Sequence, residues 1–242
     1  MSEVIIFESD AWVEGVTAKI VSGLRAALAT RQRATLLLSG GSTPIPVHRA
    51  LAQAKRIDWQ QVHFFWGDER YVPADDPASN FRMARETLLD PLGIAPDAPN
   101  VHPFPTESTP QEDAAKYEQQ LQDFFGLAAG EMPRFDVILL GMGGDGHTAS
   151  LFPGTQALTE STRLAVANPV PAQNTTRLTL TYPVLNHAHH LFVLLKGEGK
   201  AARLAEVLTG EPNKYPIQGI QPTDGELLWL LDSAAASQLP NK

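Results

Sequence analysis

A mostly parallel, twisted α/β sheet with helices on both faces is what this sequence predicts, and three observations predict it. Short apolar runs rich in Val, Ile, Leu and Phe alternate along the chain with longer segments of helical hydrophobic period, the pattern of βαβ units. Several of those runs are apolar at every position, as suits strands buried on both faces. Glycine-rich and charged clusters follow directly on them, at the carboxyl ends of the strands, where ligands gather in such folds. No internal repeat or low-complexity linker divides the 242 residues, so a single domain over 1–242 is expected.

In order, Val4 to Phe7 reads as the first strand. Asp10 to Thr30 reads as a helix, with Asp10 as N-cap and Val13, Val16, Ile20, Leu24 and Leu28 at helical spacing. Ala34 to Ser39 is a strand, followed by GGSTP and a helix from Pro44 to about Lys55. Val62 to Trp66 is the next strand; it runs into the loop GDERYVPADDPAS and the helix Asn80 to Leu89. The proline-rich stretch Pro91 to Pro110 reads as a long surface connection, Glu112 to Phe125 as an amphipathic helix and Asp136 to Leu140 as a strand. Leu164 to Ala167, Arg177 to Tyr182, His190 to Leu195 and Leu227 to Leu231 add strands, with a helix at Gly199 to Leu208.

Composition narrows the function classes. The chain has no cysteine, which removes disulfides, thiolate catalysis and cysteine-ligated metal centres. A nucleophile must be hydroxyl, carboxylate, imidazole or water. The formal net charge of −8 offers no broad basic face for nucleic acid, so an anionic substrate needs local arginines or lysines. No apolar run reaches the ~20 residues that cross a bilayer, and MSEVIIFESD does not read as a signal peptide. A cytoplasmic protein is expected, with no membrane or nucleic-acid partner, as a monomer or small homo-oligomer.

The densest motif is FDVILLGMGGDGHTASLFPG, Phe135 to Gly154. An apolar strand enters a turn in which Gly141, Gly143, Gly144 and Gly146 remove the Cβ atoms that bar close approach to the main chain. Such a turn can aim backbone N–H groups at an anion. Asp145 and His147 follow at its rim, and an imidazole near neutrality can accept or give a proton; a glycine turn with an exposed histidine is the plainer reading. LLLSGGSTP, Leu36 to Pro44, is strand, glycine turn and helix start, with Ser42 or Thr43 as N-cap. It reads as a phosphate site or as an ordinary capped helix, and it lacks the lysine and spacing of a nucleoside-triphosphate loop.

WGDERYVP places Asp68, Glu69 and Arg70 after a strand. Three adjacent residues cannot all face one site, so one carboxylate is expected to orient a partner while the Arg70 fork holds a carboxylate or phosphate. Arg177 and Lys200 each begin a further element and gain meaning only if the fold brings them to the same rim. His187, His189 and His190 have no nearby carboxylate in sequence to complete a metal shell, and read as turn histidines.

Taken together, LLLSGGSTP, WGDERYVP with DDPASN and RETLL, GMGGDGHTASLFPG, RLTLTYPVLNHA, KGEGKA and PTDGELLWLLDSAA resemble the 6-phosphogluconolactonases, in the family's order from about Leu36 to Ala235. The resemblance implies a Rossmann-like fold shared with glucosamine-6-phosphate deaminase and ribose-5-phosphate isomerase. It implies hydrolysis of 6-phospho-D-glucono-1,5-lactone without metal or cofactor. By the same resemblance His147 is the catalytic histidine and Arg70 the arginine of the DER motif. Gly40, Gly41, Ser42 and Thr43 hold the sugar phosphate, with charge from Arg177 and Lys200 and with Asp68 on the binding side. Asp145 orients His147 or the water; from the glycine spacing, Gly143 and Gly144 are expected to offer N–H groups to the oxyanion, with Arg70 as a further catalytic donor. The segment PAQNTT before Arg177 departs from the basic, proline-rich one that relatives often carry.

The nearest rival is the deaminase, in whose resemblance a glutamate stands at Phe152 and a tyrosine at Arg70; both positions favour the lactonase. Gly141, Gly143 and Gly146 also satisfy a G-x-G-x-x-G spacing. No acidic residue about twenty positions on ends a second strand, which counts against a dinucleotide. A sugar-phosphate sensor of the same fold would carry a DNA-binding helix-turn-helix, and this acidic chain has no room for one.

Overall fold

A computed structural model describes residues 2–240. Two sheets organise it. The larger has seven strands in the order β1-β10-β9-β6-β2-β3-β5: β1 (Ser2–Phe7), β2 (Ala34–Leu38), β3 (Val62–Trp66), β5 (Val101–His102), β6 (Val137–Leu140), β9 (His190–Leu195) and β10 (Glu226–Asp232). Every pairing in it is parallel. All residues of β2 and β6 are buried, the mark of strands covered on both faces. Helix α1 (Trp12–Arg31) lies across β2, β6 and β10 beside α2 (Ile45–Leu51), and turns Trp12, Val16, Ile20 and Leu24 inward. Further helical segments are α3 (Asn80–Ala84), continued through a π turn (Arg85–Leu89) into α4 (Asp90–Leu92), then α5 (Pro110–Phe125), α6 (Tyr182–Leu185) and α7 (Ala201–Thr209).

The strand order places the site. From β2 the chain moves outward through β3 to β5, whereas from β6 it moves the other way through β9 to β10. The direction reverses between β2 and β6, neighbours in register through Leu36 with Val137 and Leu37 with Ile138. In an open α/β sheet a crevice opens at the carboxyl ends of the strands at such a switch point. GGSTP leaves β2 and GMGGDGH leaves β6, so the two motifs meet there. At the opposite end of the same strands, the buried Asp136 carboxylate accepts the Thr35 N–H at 2.8 Å and hydroxyl at 3.0 Å and pairs with Arg31, fixing that register.

Several sequence expectations are corrected. Asp68 to Arg70 is not loop but a strand, β4 (Asp68–Arg70), in a separate antiparallel sheet with β8 (Thr175–Leu180) and β7 (Ala165–Val170). The runs around Leu164 and Arg177 therefore do not join the main sheet. The turn between them, Pro171–Gln173 closed by Asn174 in the left-handed region, is too short for the crossover that parallel strands need. Ala11, not Asp10, is the N-cap position of α1, and no side chain caps it. Neither Ser42 nor Thr43 caps α2; Pro44 holds the cap position, and Pro46 has no N–H for a capping hydroxyl to bind. The stretch Pro91 to Pro110 is not wholly surface, because β5 lies within it and the buried Asn100 side chain donates to the carbonyls of Trp59 and Val62.

Candidate active site

The crevice is a cavity of about 340 Å³ walled by the turn after β2, the loop after β6, β4 and the start of β8, with Lys200 at its rim. On the β2 side, Gly41 has φ +87, a conformation that L side chains rarely adopt, and the space where a Cβ would stand is open. The N–H groups of Gly40, Gly41, Ser42 and Thr43 donate to no protein acceptor among the described residues. With the two hydroxyls released from capping, this turn is a set of unengaged donors suited to a phosphate. Gly40 serves differently: a Cβ there would overlap the Asn80 side chain, whose amide nitrogen donates to the Asp68 carbonyl at 2.9 Å.

On the β6 side the glycine loop folds back on itself. The Gly143 N–H donates to the His147 carbonyl at 2.8 Å, and the Gly146 N–H to the Gly143 carbonyl at 3.1 Å. Asp145 Oδ1 accepts the His147 N–H at 3.1 Å and meets His147 Nδ1 at 2.5 Å. Burial pushes the Asp145 carboxyl up, but the His147 N–H and ring outweigh it, and the net direction is below the usual carboxylate range. A carboxylate on Nδ1 fixes the ring's tautomer and leaves Nε2 as the basic nitrogen. Phe152 stacks on the imidazole with centroids 4.1 Å apart, and Arg177 lies 5.9 Å from the Phe152 centroid.

The small sheet brings the cations. Arg70 and Arg177 face each other in register across β4 and β8, and the Nε of each is buried with no partner. Burial, and then the charge of Arg70, lowers the affinity of Arg177 for its proton. Arg70 Nη1 is held by the Ala78 carbonyl at 2.6 Å, but two guanidiniums held together with both Nε donors unengaged call for an anion between them. Gln173, from the departing PAQNTT segment, accepts from Arg177 Nη2 at 2.8 Å, and Lys200 Nζ donates to the Met142 carbonyl at 2.8 Å.

The DER triplet divides as its alternation requires. Asp68 and Arg70 line the cavity, and the buried Asp68 carboxylate accepts the Ser150 hydroxyl at 2.6 Å, tying β4 to the loop after β6. Glu69 turns away and accepts the N–H groups of Arg70, Asn80 and Phe81 and the Ser79 hydroxyl, which clamps the start of α3. Burial nonetheless pushes its carboxyl up to about 6.

Of the residues expected from sequence, Gly40, Gly41, Ser42, Thr43, Asp68, Arg70, Gly143, His147, Arg177 and Lys200 line this one cavity. Asp145 reaches it through His147. Gly144 is not on its wall: it is exposed, and its carbonyl is turned to Arg203. The Gly143 N–H is engaged by His147, which removes it from the expected oxyanion donors. Sequence reasoning missed Thr148, whose buried hydroxyl has no partner, and Ala149, held at φ +46 on the cavity wall. The small and hydroxyl residues TAS directly after Asp145-Gly146-His147 were the available signal. His187 faces the carbonyls of Met132 and Pro133, and His190 pairs with Glu226 at 2.9 Å. Among the described residues no three His, Asp or Glu side chains gather as a metal site.

A doubly wound sheet with unengaged backbone donors on one wall of its switch-point crevice and a carboxylate-braced imidazole on the other is an arrangement suited to an α/β enzyme for phosphorylated sugars. The family described as glucosamine-6-phosphate isomerases/6-phosphogluconolactonase matches residues 8–229, and the chain belongs to it. It is 44% identical over 238 residues to a 6-phosphogluconolactonase of Synechocystis sp., covering 97% of each chain. It is 40% identical over 250 residues to one of Mycobacterium tuberculosis, covering 99% of each. The solved 6-phosphogluconolactonase of Thermotoga maritima superposes with a TM-score of 0.84 at 31% identity, over 96% of this chain and all of that one.

Proposed function

We propose that this protein hydrolyses 6-phospho-D-glucono-1,5-lactone to 6-phospho-D-gluconate, the lactonase step of the oxidative pentose phosphate pathway, with His147 as general base. The observation that carries the reading is the Asp145–His147 contact of 2.5 Å on the wall of a cavity whose opposite wall is the unengaged donor turn at Gly40 to Thr43. A lactone is an ester, so hydrolysis needs a positioned water, a base and support for the developing oxyanion rather than a covalent nucleophile.

In this reading the turn at Gly40 to Thr43 grips the phosphate, with Arg70, Arg177 and Lys200 supplying charge. His147 Nε2 takes a proton from water as its oxygen attacks C1. The tetrahedral intermediate collapses with cleavage of the bond from C1 to the ring oxygen, and the imidazolium returns the proton to that oxygen. Asp145 holds the ring and balances its transient charge. A base so placed contributes about 10² to 10⁴ in rate. Phe152 stacks on His147 where the deaminase resemblance calls for a glutamate, so the second carboxylate of that chemistry is missing from this ring's face.

No described helix is long and apolar enough to cross a membrane, and a cytoplasmic location goes with the pathway. The test is a substrate comparison: purified protein accelerates loss of freshly generated phosphogluconolactone and releases no ammonia from glucosamine 6-phosphate. Ammonia release without lactone hydrolysis would overturn the reading.

A further inference from the structure

The loop that carries Asp145 and His147 contains three glycines between positions 143 and 146, and glycine loses the most freedom on being ordered. Something must hold it. Its inner side closes on itself through Gly143 and His147. Its outer side, away from the cavity, is held by Arg203 and Tyr215, which the proposed chemistry does not use.

Arg203, on the first turn of α7, donates from Nε to the Gly144 carbonyl at 2.7 Å. Lys200, three residues earlier, donates to the Met142 carbonyl, so one turn of this segment grips alternate carbonyls of the loop. The Arg203 guanidinium is itself fixed: Nη1 meets Glu206 Oε2 at 2.6 Å and the Tyr215 hydroxyl, which also donates to Glu206. It lies 4.4 Å from the Tyr215 ring centroid. Tyr215 in turn packs on Gly146, where a Cβ would stand 2.8 Å from the tyrosine Cβ and Cδ1, and the Ile217 N–H donates to the Gly146 carbonyl at 3.0 Å. Gly146 has φ +81. The carbonyls on either side of Asp145, those of Gly144 and Gly146, are thus both pinned from outside, and Asp145 is the residue that braces His147. Neither Arg203 nor Tyr215 is on the cavity wall.

We infer that Arg203, locked by Tyr215 and Glu206, is a positioning residue for the reaction: it sets the place of Asp145 and through it the plane of the His147 ring. The inference rests on the reading of His147 as the base. It separates from a purely structural role because a clamp on the catalytic loop acts on turnover, whereas a surface ion cluster acts on stability alone. A displacement of about 1 Å at the reacting groups can cost on the order of 10²-fold in rate, so a loosened loop should register in kcat.

The experiment measures kcat, KM and melting temperature for Arg203→Ala, Arg203→Lys, Tyr215→Phe and His147→Ala, and for Arg203→Ala combined with His147→Ala. Arg203→Ala is expected to lower kcat about tenfold or more with KM within about threefold. Arg203→Lys, which keeps a donor for the Gly144 carbonyl, recovers most of that loss. In the His147→Ala background the arginine substitution costs nothing further, because the group it positions is gone. Tyr215→Phe, which removes one hydroxyl, gives a smaller kcat loss in the same direction and answers the question if Arg203→Ala fails to fold. Wild-type kcat in Arg203→Ala or, should that variant not fold, in Tyr215→Phe overturns the inference, as does an undiminished loss in the His147→Ala background. If His147→Ala itself turns over normally, the base assignment fails and the inference falls with it. An inactive His147→Ala beside a fully active Arg203→Ala overturns the inference alone.

Discussion

Replacing Gly143 with alanine adds one carbon to the loop, and the structure says where it goes. The new Cβ would overlap His147 Nδ1 and Cε1 and stand 2.7 Å from Asp145 Oδ1. Contacts under 3.0 Å are not tolerated by a real Cβ, so the imidazole must retreat by more than an ångström to reach ordinary contact. It cannot retreat freely, because Phe152 is stacked on the ring at 4.1 Å and Asp145 holds its Nδ1. A displacement of that size at the base is expected to cost about 10²-fold in kcat, roughly 3 kcal/mol of transition-state stabilisation. KM should change little, since the donors assigned to the phosphate are on the other wall. Gly144→Ala is the internal control: one position on, a Cβ meets nothing within 4 Å, and wild-type kinetics are expected. Steady-state kinetics on freshly generated phosphogluconolactone, corrected for spontaneous hydrolysis, read both variants. Wild-type kcat in Gly143→Ala, or equal impairment in the two variants, would refute the reasoning.

Two further substitutions address the other wall and the core. Gly41→Ala meets no atom but must hold φ +87, which costs a non-glycine residue about 1 to 2 kcal/mol. Because this turn carries the proposed phosphate donors, KM should rise several-fold with kcat little changed, and a fall in kcat alone would assign the turn to chemistry instead. His48, wholly buried on the inner face of α2, is pushed down to about 4 by burial. Its folded pKa lies below its unfolded value of 6.5, so the unfolded chain binds the proton first as pH falls. Stability is therefore intact above pH 6.5, declines between pH 6.5 and about 4, and has lost roughly 3 kcal/mol from this group by the lower limit. Urea unfolding at pH 7 and pH 4.5 should show a shallower acid loss in His48→Gln than in wild type, and parallel losses would refute the assignment.

The parts of the fold legible in the sequence are those whose hydrophobic pattern is set by burial alone. β2 and β6 read as strands because Leu36 to Leu38 and Val137 to Leu140 are apolar without interruption, and α1 because Val16, Ile20 and Leu24 repeat at helical spacing. β4 was not legible: Asp68, Glu69 and Arg70 have no strand pattern, and they are extended because β8 supplies their hydrogen-bonding partner. The same pairing sets Arg70 beside Arg177, 107 positions away in sequence, and no local signal reports it. The adjacency of the two glycine turns likewise comes from the register of β2 with β6. Capping at Ser42 and Thr43 does not follow from the sequence because a hydroxyl before a helix serves a cap and a ligand equally well; here Pro44 takes the cap position and the Ile45 N–H turns to the Ser42 carbonyl.

His147→Ala, assayed on freshly generated 6-phospho-D-glucono-1,5-lactone after subtraction of the spontaneous rate, tests the central claim most directly. The account predicts that kcat falls by about 10² to 10⁴ while product or phosphate-bearing analogues still bind through the turn at Gly40 to Thr43. Turnover at the wild-type rate in the folded variant would remove His147 from the mechanism and contradict the account.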